Sequence, residues 1–165
     1  MTAPGSSAVF RPLATQPRAD EARSLGPRLI APGSVTEGEF GLFETTVAPG
    51  AGTAAPHYHT SFTESFYVLE GRLELRVDDA TELAGPGDFA FVPRHGLHGF
   101  TNTGDVPARM LILFTPGIAR ENYFRELAEL YTQGRRPSDA EVDALATRHD
   151  QFNVRDAIEP GAGHE

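Results

Sequence analysis

The chain reads as a mostly β protein, a sandwich or barrel, followed by a pair of α-helices. Three observations carry that reading. Gly and Pro punctuate the middle of the chain at short intervals: Pro49-Gly50, Gly71, Gly85-Pro86-Gly87, Pro93, Gly104, Pro107 and Pro116-Gly117. Such spacing marks many short strands joined by turns. Arg72–Val77 alternates polar and apolar residues, so one face is wet and the other buried. After Pro116-Gly117 the apolar residues Tyr123, Phe124, Leu127, Leu130 and Tyr131 recur at helical spacing, with Arg and Glu between them.

Taken in order, residues 1–25 read as a flexible N-terminal leader rich in Ala, Pro, Ser and Thr. Its Val9, Phe10 and Leu13 are available to pack on the body or on a partner subunit. Residues 26–117 form the β domain. Leu29-Ile30 starts a short strand, and Glu39 to Val47 a longer one. Val68-Leu69 and Met110–Phe114 are apolar at both parities, which predicts cover on both faces. Residues 118–158 form a helical extension. Gly134 is placed to stop its first helix. Ser138-Asp139-Ala140-Glu141 is a capping-box pattern opening the second, whose Val142, Leu145 and Ala146 share a face. Residues 159–165 read as a disordered tail.

The 165 residues suffice for one domain with a real core. The net charge of −9 argues against a nucleic-acid partner, which needs a basic face, and against anionic membranes. The second helix is acidic, which argues against a helix-turn-helix. The absence of cysteine excludes disulfides, thiolate metal sites and thiol catalysis. No apolar run approaches the length of a membrane helix, and the N-terminus has no secretory core, so the chain is expected in the cytoplasm.

The chemistry concentrates in His57-Tyr58-His59, Glu64 and His98. His57 and His59 share one strand face, because side chains alternate with period two. Glu64 has the wrong parity for an unbroken strand, so a bend within Thr60–Thr63 must return it inward. From there Glu64, Phe66 and Val68 share a face, as do His98, Phe100 and Asn102. Three imidazoles and a carboxylate suit one divalent transition ion per chain (Ni, Fe, Mn, Co, Cu or Zn) and leave coordination positions open. Without an ion, the cluster would bury polar groups at a cost. His149 and His164 read as ordinary polar residues.

Here the chain resembles the cupins. His57-x-His59-x4-Glu64-x6-Gly71 matches the first cupin motif, G-x5-H-x-H-x3,4-E-x6-G. Gly87-x5-Pro93-x4-His98-x3-Asn102 matches most of the second, G-x5-P-x-G-x2-H-x3-N. The resemblance covers about residues 40–116 and implies a cupin double-stranded β-helix, or jelly-roll, barrel. Two positions depart. Ala51 stands where the first motif opens on glycine, with Gly50 and Gly52 beside it. His95 stands at the glycine of the second motif, and the adjacent Gly96 is expected to supply the positive φ there.

Parity assigns Phe66, Val68 and Phe100 to the interior, with Phe40, Leu42 and either Phe89 or Phe91. Phe66, Phe100, Phe40, Leu42 and His95, near the mouth, are the candidate substrate-binding residues. Such a lining suits a small apolar or aromatic organic substrate. The short barrel with an aromatic-rich helix directly after it is similar to the quercetin 2,3-dioxygenase-like group. That resemblance implies metal-dependent addition of O2 to a flavonol-like or other enolisable aromatic hydroxy-ketone, with Glu64 as both ligand and catalytic base. The same scaffold hosts non-redox cyclases, isomerases and lyases as well as non-catalytic binding proteins. Apolar residues at both strand parities, with the leader, point to a homodimer.

Overall fold

Period-two burial sets the faces of the longest strands in the computed structural model, which describes residues 8–20 and 25–155. The strands are β1 (Arg18–Asp20), β2 (Leu25–Ala31), β3 (Gly41–Val47), β4 (His57–Tyr58), β5 (Thr63–Glu70), β6 (Leu73–Val77), β7 (Ala80–Ala84), β8 (Phe89–Val92), β9 (His98–Thr101) and β10 (Ala108–Thr115). Helices α1 (Arg120–Tyr131) and α2 (Asp139–Arg148) follow, and β11 (Phe152–Asn153) returns to the sheets. The two sheets have the orders β1-β2-β3-β10-β5-β8 and β11-β4-β9-β6-β7. All the mapped pairings are antiparallel. The protein is thus mostly β, a jelly-roll barrel with two helices near the C-terminus.

The core lies between the sheets. Phe43, Phe66, Val68, Leu73, Leu75, Met110, Ile112 and Phe114 are buried there. Each large side chain contributes roughly 1.5–3 kcal/mol by leaving water. In β10, Ala108, Met110, Ile112 and Phe114 face this core, while Arg109, Leu111 and Leu113 lie half-buried on the outer face. The capping box opens α2: Ser138 Oγ accepts from the Glu141 N–H and the Glu141 carboxylate from the Ser138 N–H. Gly134, at φ +77°, turns the chain after α1.

Several expectations fail on strand parity. Phe40 precedes β3, is exposed, and lies in a groove with Val9, Arg11 and Ile30 rather than inside the barrel. Leu42 faces outward opposite Leu113, whereas Phe43 and Ile112 pair on the core side. The inward set of β3 is therefore odd-numbered, and a one-residue slip moves every side chain to the other face. Phe89 and Phe91 both point outward, and Val92 is buried between the sheets. The sheet also begins before residue 26, since β1 pairs with β2. Val9, Phe10 and Leu13 are exposed. The predicted tail, with His164, lies outside the described residues.

The two motif departures have local explanations. Gly50 takes φ +74°, and a Cβ on Gly52 would meet the Phe100 carbonyl oxygen at 2.3 Å, so the glycines beside Ala51 serve the turn and the close approach. At the second position, His95 itself adopts φ +67°, and Gly96 does not take over that role. Gly96 is needed for space: a Cβ there would lie 2.9 Å from Val92 Cγ1.

Candidate metal centre

β4 pairs with β9 so that His57 stands directly opposite His98, with ring centroids 4.3 Å apart. His59 follows on the same side. The chain then bends at Thr60–Phe62 and enters β5, which brings Glu64 in from the other sheet. The expected bend is therefore present, and its hold comes from far along the chain. The Asp150 carboxylate accepts from the Thr60 and Ser61 N–H groups at 3.1 and 2.7 Å and from their hydroxyls at 2.5 and 2.6 Å. All four candidate ligands are buried, and their ligand atoms lie within 4.8 Å of one another.

The hydrogen bonds behind the imidazoles fix which nitrogen faces the centre. His57 Nδ1 meets the Ala55 carbonyl at 3.1 Å, His59 Nδ1 the Asp150 carbonyl at 2.7 Å, and His98 Nδ1 the Gly96 carbonyl at 2.9 Å. A carbonyl only accepts, so each Nδ1 carries hydrogen, and the neutral ring keeps its lone pair on Nε2. Nε2 of His59 and His98 stand 2.9 and 3.0 Å from Glu64 Oε2. Lone-pair nitrogens in contact with a carboxylate oxygen need a cation between them, either a proton or a metal ion. The donor set therefore fits a divalent transition metal.

Electrostatics agree with a cation-seeking site. Burial, with His98 nearby, pushes His57 down to about 3, so this imidazole is neutral at ordinary pH. Burial alone would raise the Glu64 pKa, but the contacts with His59 and His98 outweigh it and hold this carboxyl well below the usual range. The same carboxylate raises His98 against the opposing effect of burial.

A cavity of about 260 Å³ opens onto His57 and Glu64. Thr45, Phe100, Ile112 and Phe114 form its barrel side. Helix α1 contributes Arg120, Tyr123, Phe124, Leu127 and Tyr131 to its lining, and Gln151 adds to the wall. Of the candidate substrate-binding residues, Phe100 lines this cavity. Phe66 is buried in the barrel core, 5.9 Å from the His98 ring and 6.0 Å from that of Phe100. Phe40, Leu42 and His95 lie elsewhere; His95 is exposed, and its N–H donates to the His59 carbonyl. Tyr58 faces away from the ligands, as its parity requires, and stacks on Phe152. His149 contacts Glu126.

The aromatic stripe of α1 was visible in the sequence, but not that it lines the cavity. Arg120 and Asp150 carried no sequence signal of a role. Asn102, by contrast, is structural: its Nδ2 donates to the Val47 and Val106 carbonyls, and its Oδ1 accepts from the Gly104 N–H.

The cupin domain family matches residues 43–114, the segment that holds all four candidate ligands. With the jelly-roll fold and both motifs, this segment is a cupin domain. It is 31% identical over 104 residues to quercetin 2,3-dioxygenase of Bacillus subtilis, a match covering 63% of this chain and 30% of that protein. It is 34% identical over 90 residues to the tetracenomycin polyketide synthase protein TcmJ of Streptomyces glaucescens, covering 53% and 58% respectively. The chain thus spans 30% to 58% of the length of these relatives. Among solved structures, an uncharacterised protein with a double-stranded β-helix domain from Klebsiella pneumoniae superposes with a TM-score of 0.50 at 20% identity. That match covers 69% of this chain and 94% of the other. Among the described residues, no helix is long and apolar enough to cross a membrane.

Proposed function

We propose that this cupin is a metal-dependent dioxygenase acting on an enolisable aromatic hydroxy-ketone, flavonol-like in shape. His57, His59, Glu64 and His98 hold one divalent transition ion. The observation that carries the reading is the three-nitrogen, one-oxygen set opening onto a cavity lined by aromatic rings. The ion, when bound, supplies Lewis acidity for a substrate oxyanion and, if redox-active, a route to O2. The remaining work falls to the chain. Phe100, Phe114 and Phe124 bind the flat faces of the substrate and exclude water. Glu64 is ionised at neutral pH and lines the cavity, so it can take the proton of an acidic enol hydroxyl.

The test is oxygen uptake with 3-hydroxyflavone as probe, on protein loaded separately with Fe, Mn, Co, Ni, Cu and Zn. Consumption of O2 with product formation supports the reading. Equal turnover under argon refutes it. The similarity to TcmJ favours a second reading, a non-redox cyclase, isomerase or lyase. That reading expects full activity with zinc and indifference to oxygen.

A homodimer remains part of the proposal. Phe89 and Phe91, with Tyr67 beside them in register, leave an exposed aromatic band on the outer face of the six-stranded sheet, ending at edge strand β8. A second copy covering this band accounts for it, and light scattering that gives the monomer mass at micromolar concentration refutes it.

A further inference from the structure

Arg120 opens helix α1, is buried, and lines the cavity that reaches His57 and Glu64. Four aromatic rings surround its guanidinium: Tyr123 with its centroid 3.9 Å away, and Phe62, Phe114 and Phe124 at 5.6–5.7 Å. Among the described residues it makes no salt bridge. Its Nη1 donates to the His149 carbonyl at 3.1 Å and its Nη2 to the Gln151 side-chain oxygen, while Nε has no partner. Tethering α1 to residues 149–151 explains those two bonds. A tether does not require a cation, and a neutral amide would serve it without the cost of burying charge. Cation–π contacts recover part of that cost but leave Nε unmatched.

The charge balance of the cavity points the same way. Glu64 is the only carboxylate among its lining residues. A divalent ion and Arg120 together outweigh it, so the loaded cavity favours an anionic occupant. We infer that Arg120 is the anion-binding residue of the substrate cavity, and that the substrate is a flat aromatic acid with a carboxylate on Arg120 and a hydroxyl or enol oxygen toward Glu64 and the histidines. The inference deepens the proposed function, on which it rests for the enol end, and narrows the substrate class to molecules carrying a negative group beyond the enol.

The experiment compares 2-naphthoate with its neutral isostere 2-naphthamide by isothermal titration calorimetry. It is run at neutral pH on metal-loaded and on chelator-stripped protein. A charge-assisted hydrogen bond from a buried guanidinium predicts tighter binding of the acid by about ten-fold or more. That preference is expected to survive stripping and to vanish in Arg120→Met, while Arg120→Lys keeps part of it. No preference in the wild type overturns the inference. So does a preference that disappears with the metal, or one that Arg120→Met retains. Should Arg120→Met fail to fold, a crystal structure of the wild type with naphthoate decides: a carboxylate bound to Arg120 supports the inference, and any other position overturns it. Because the stripped protein carries the decisive comparison, failure here is separable from failure of the dioxygenase reading.

Discussion

Replacing Asp150 by Ala tests whether the segment after α2 builds the metal centre or merely covers it. The carboxylate accepts hydrogen bonds from two backbone N–H groups and two hydroxyls of the bend between His59 and Glu64. A net contribution of about 0.5–1.5 kcal/mol per bond, taken at the low end because the bend is exposed, gives about 2–3 kcal/mol for the set. Asp150 also sits at φ +54°, where Asp and Ala alike carry a left-handed Cβ cost of about 1 kcal/mol that glycine escapes. Asp150→Ala should therefore lose about 2–3 kcal/mol and Asp150→Gly about 1–2, since glycine carries no Cβ penalty. Urea unfolding of the metal-free protein, followed by circular dichroism, reads this directly. With a slope of about 2 kcal/mol/M, the Ala midpoint should fall by about 1–1.5 M. The backbone acceptor of His59 Nδ1 survives the substitution, but its position no longer does, so metal affinity should fall about ten-fold. An Ala variant within about 0.5 kcal/mol of wild type, with unchanged metal affinity, would refute the reasoning.

Other consequences follow from the same geometry. Asn102→Ala strips three buried or part-buried backbone groups of their partners and should cost about 2–4 kcal/mol in urea unfolding, with metal content unchanged after refolding. His98→Ala should lose bound metal on dialysis while keeping the native circular dichroism spectrum, as elemental analysis would show. The stability of the metal-free protein should peak near pH 6.5. Below that pH His57, held at about 3, takes up a proton only when unfolded, and Glu64 does the same below about 4.5, so stability falls with acid. Above it, the raised pKa of His98 means that the folded state holds the extra proton and loses stability as it leaves, so unfolding midpoints fall toward alkaline pH. Phe91→Glu places a charge in the exposed aromatic band and should convert a dimer to a monomer in light scattering.

Local patterns made much of the fold legible. The capping box at Ser138 is local and appears as read, whereas α1 already ends at Tyr131, capped by Thr132, and Gly134 turns the chain beyond it. The bend before Glu64 followed from parity alone, because a carboxylate at the wrong period can face inward only if the strand breaks. Parity failed where its starting point was uncertain. In β3 the reading began at Glu39, but pairing with β10 places Phe43, not Leu42, on the core side. β8 has an aromatic residue at every second position, so aromatic content suggested an inward face. The smaller Ala90 and Val92 take that side beneath the packed core, and the two phenylalanines face out.

The sequence by itself determined the identity and chemistry of the four candidate ligands and the strand-turn scaffold beneath them. Residue type limits what can bind a metal, and alternation along a strand decides which side chains can share a face. Only the tertiary structure decided what lies around them. Asp150 clamps the ligand loop from about ninety residues away, and Arg120 and the aromatic stripe of α1 line the cavity. No local period encodes such contacts, because they depend on how the two sheets and the returning helices pack once the barrel has closed. The candidate ligand set was therefore readable from spacing, whereas the residues that line the cavity beside it came from the fold.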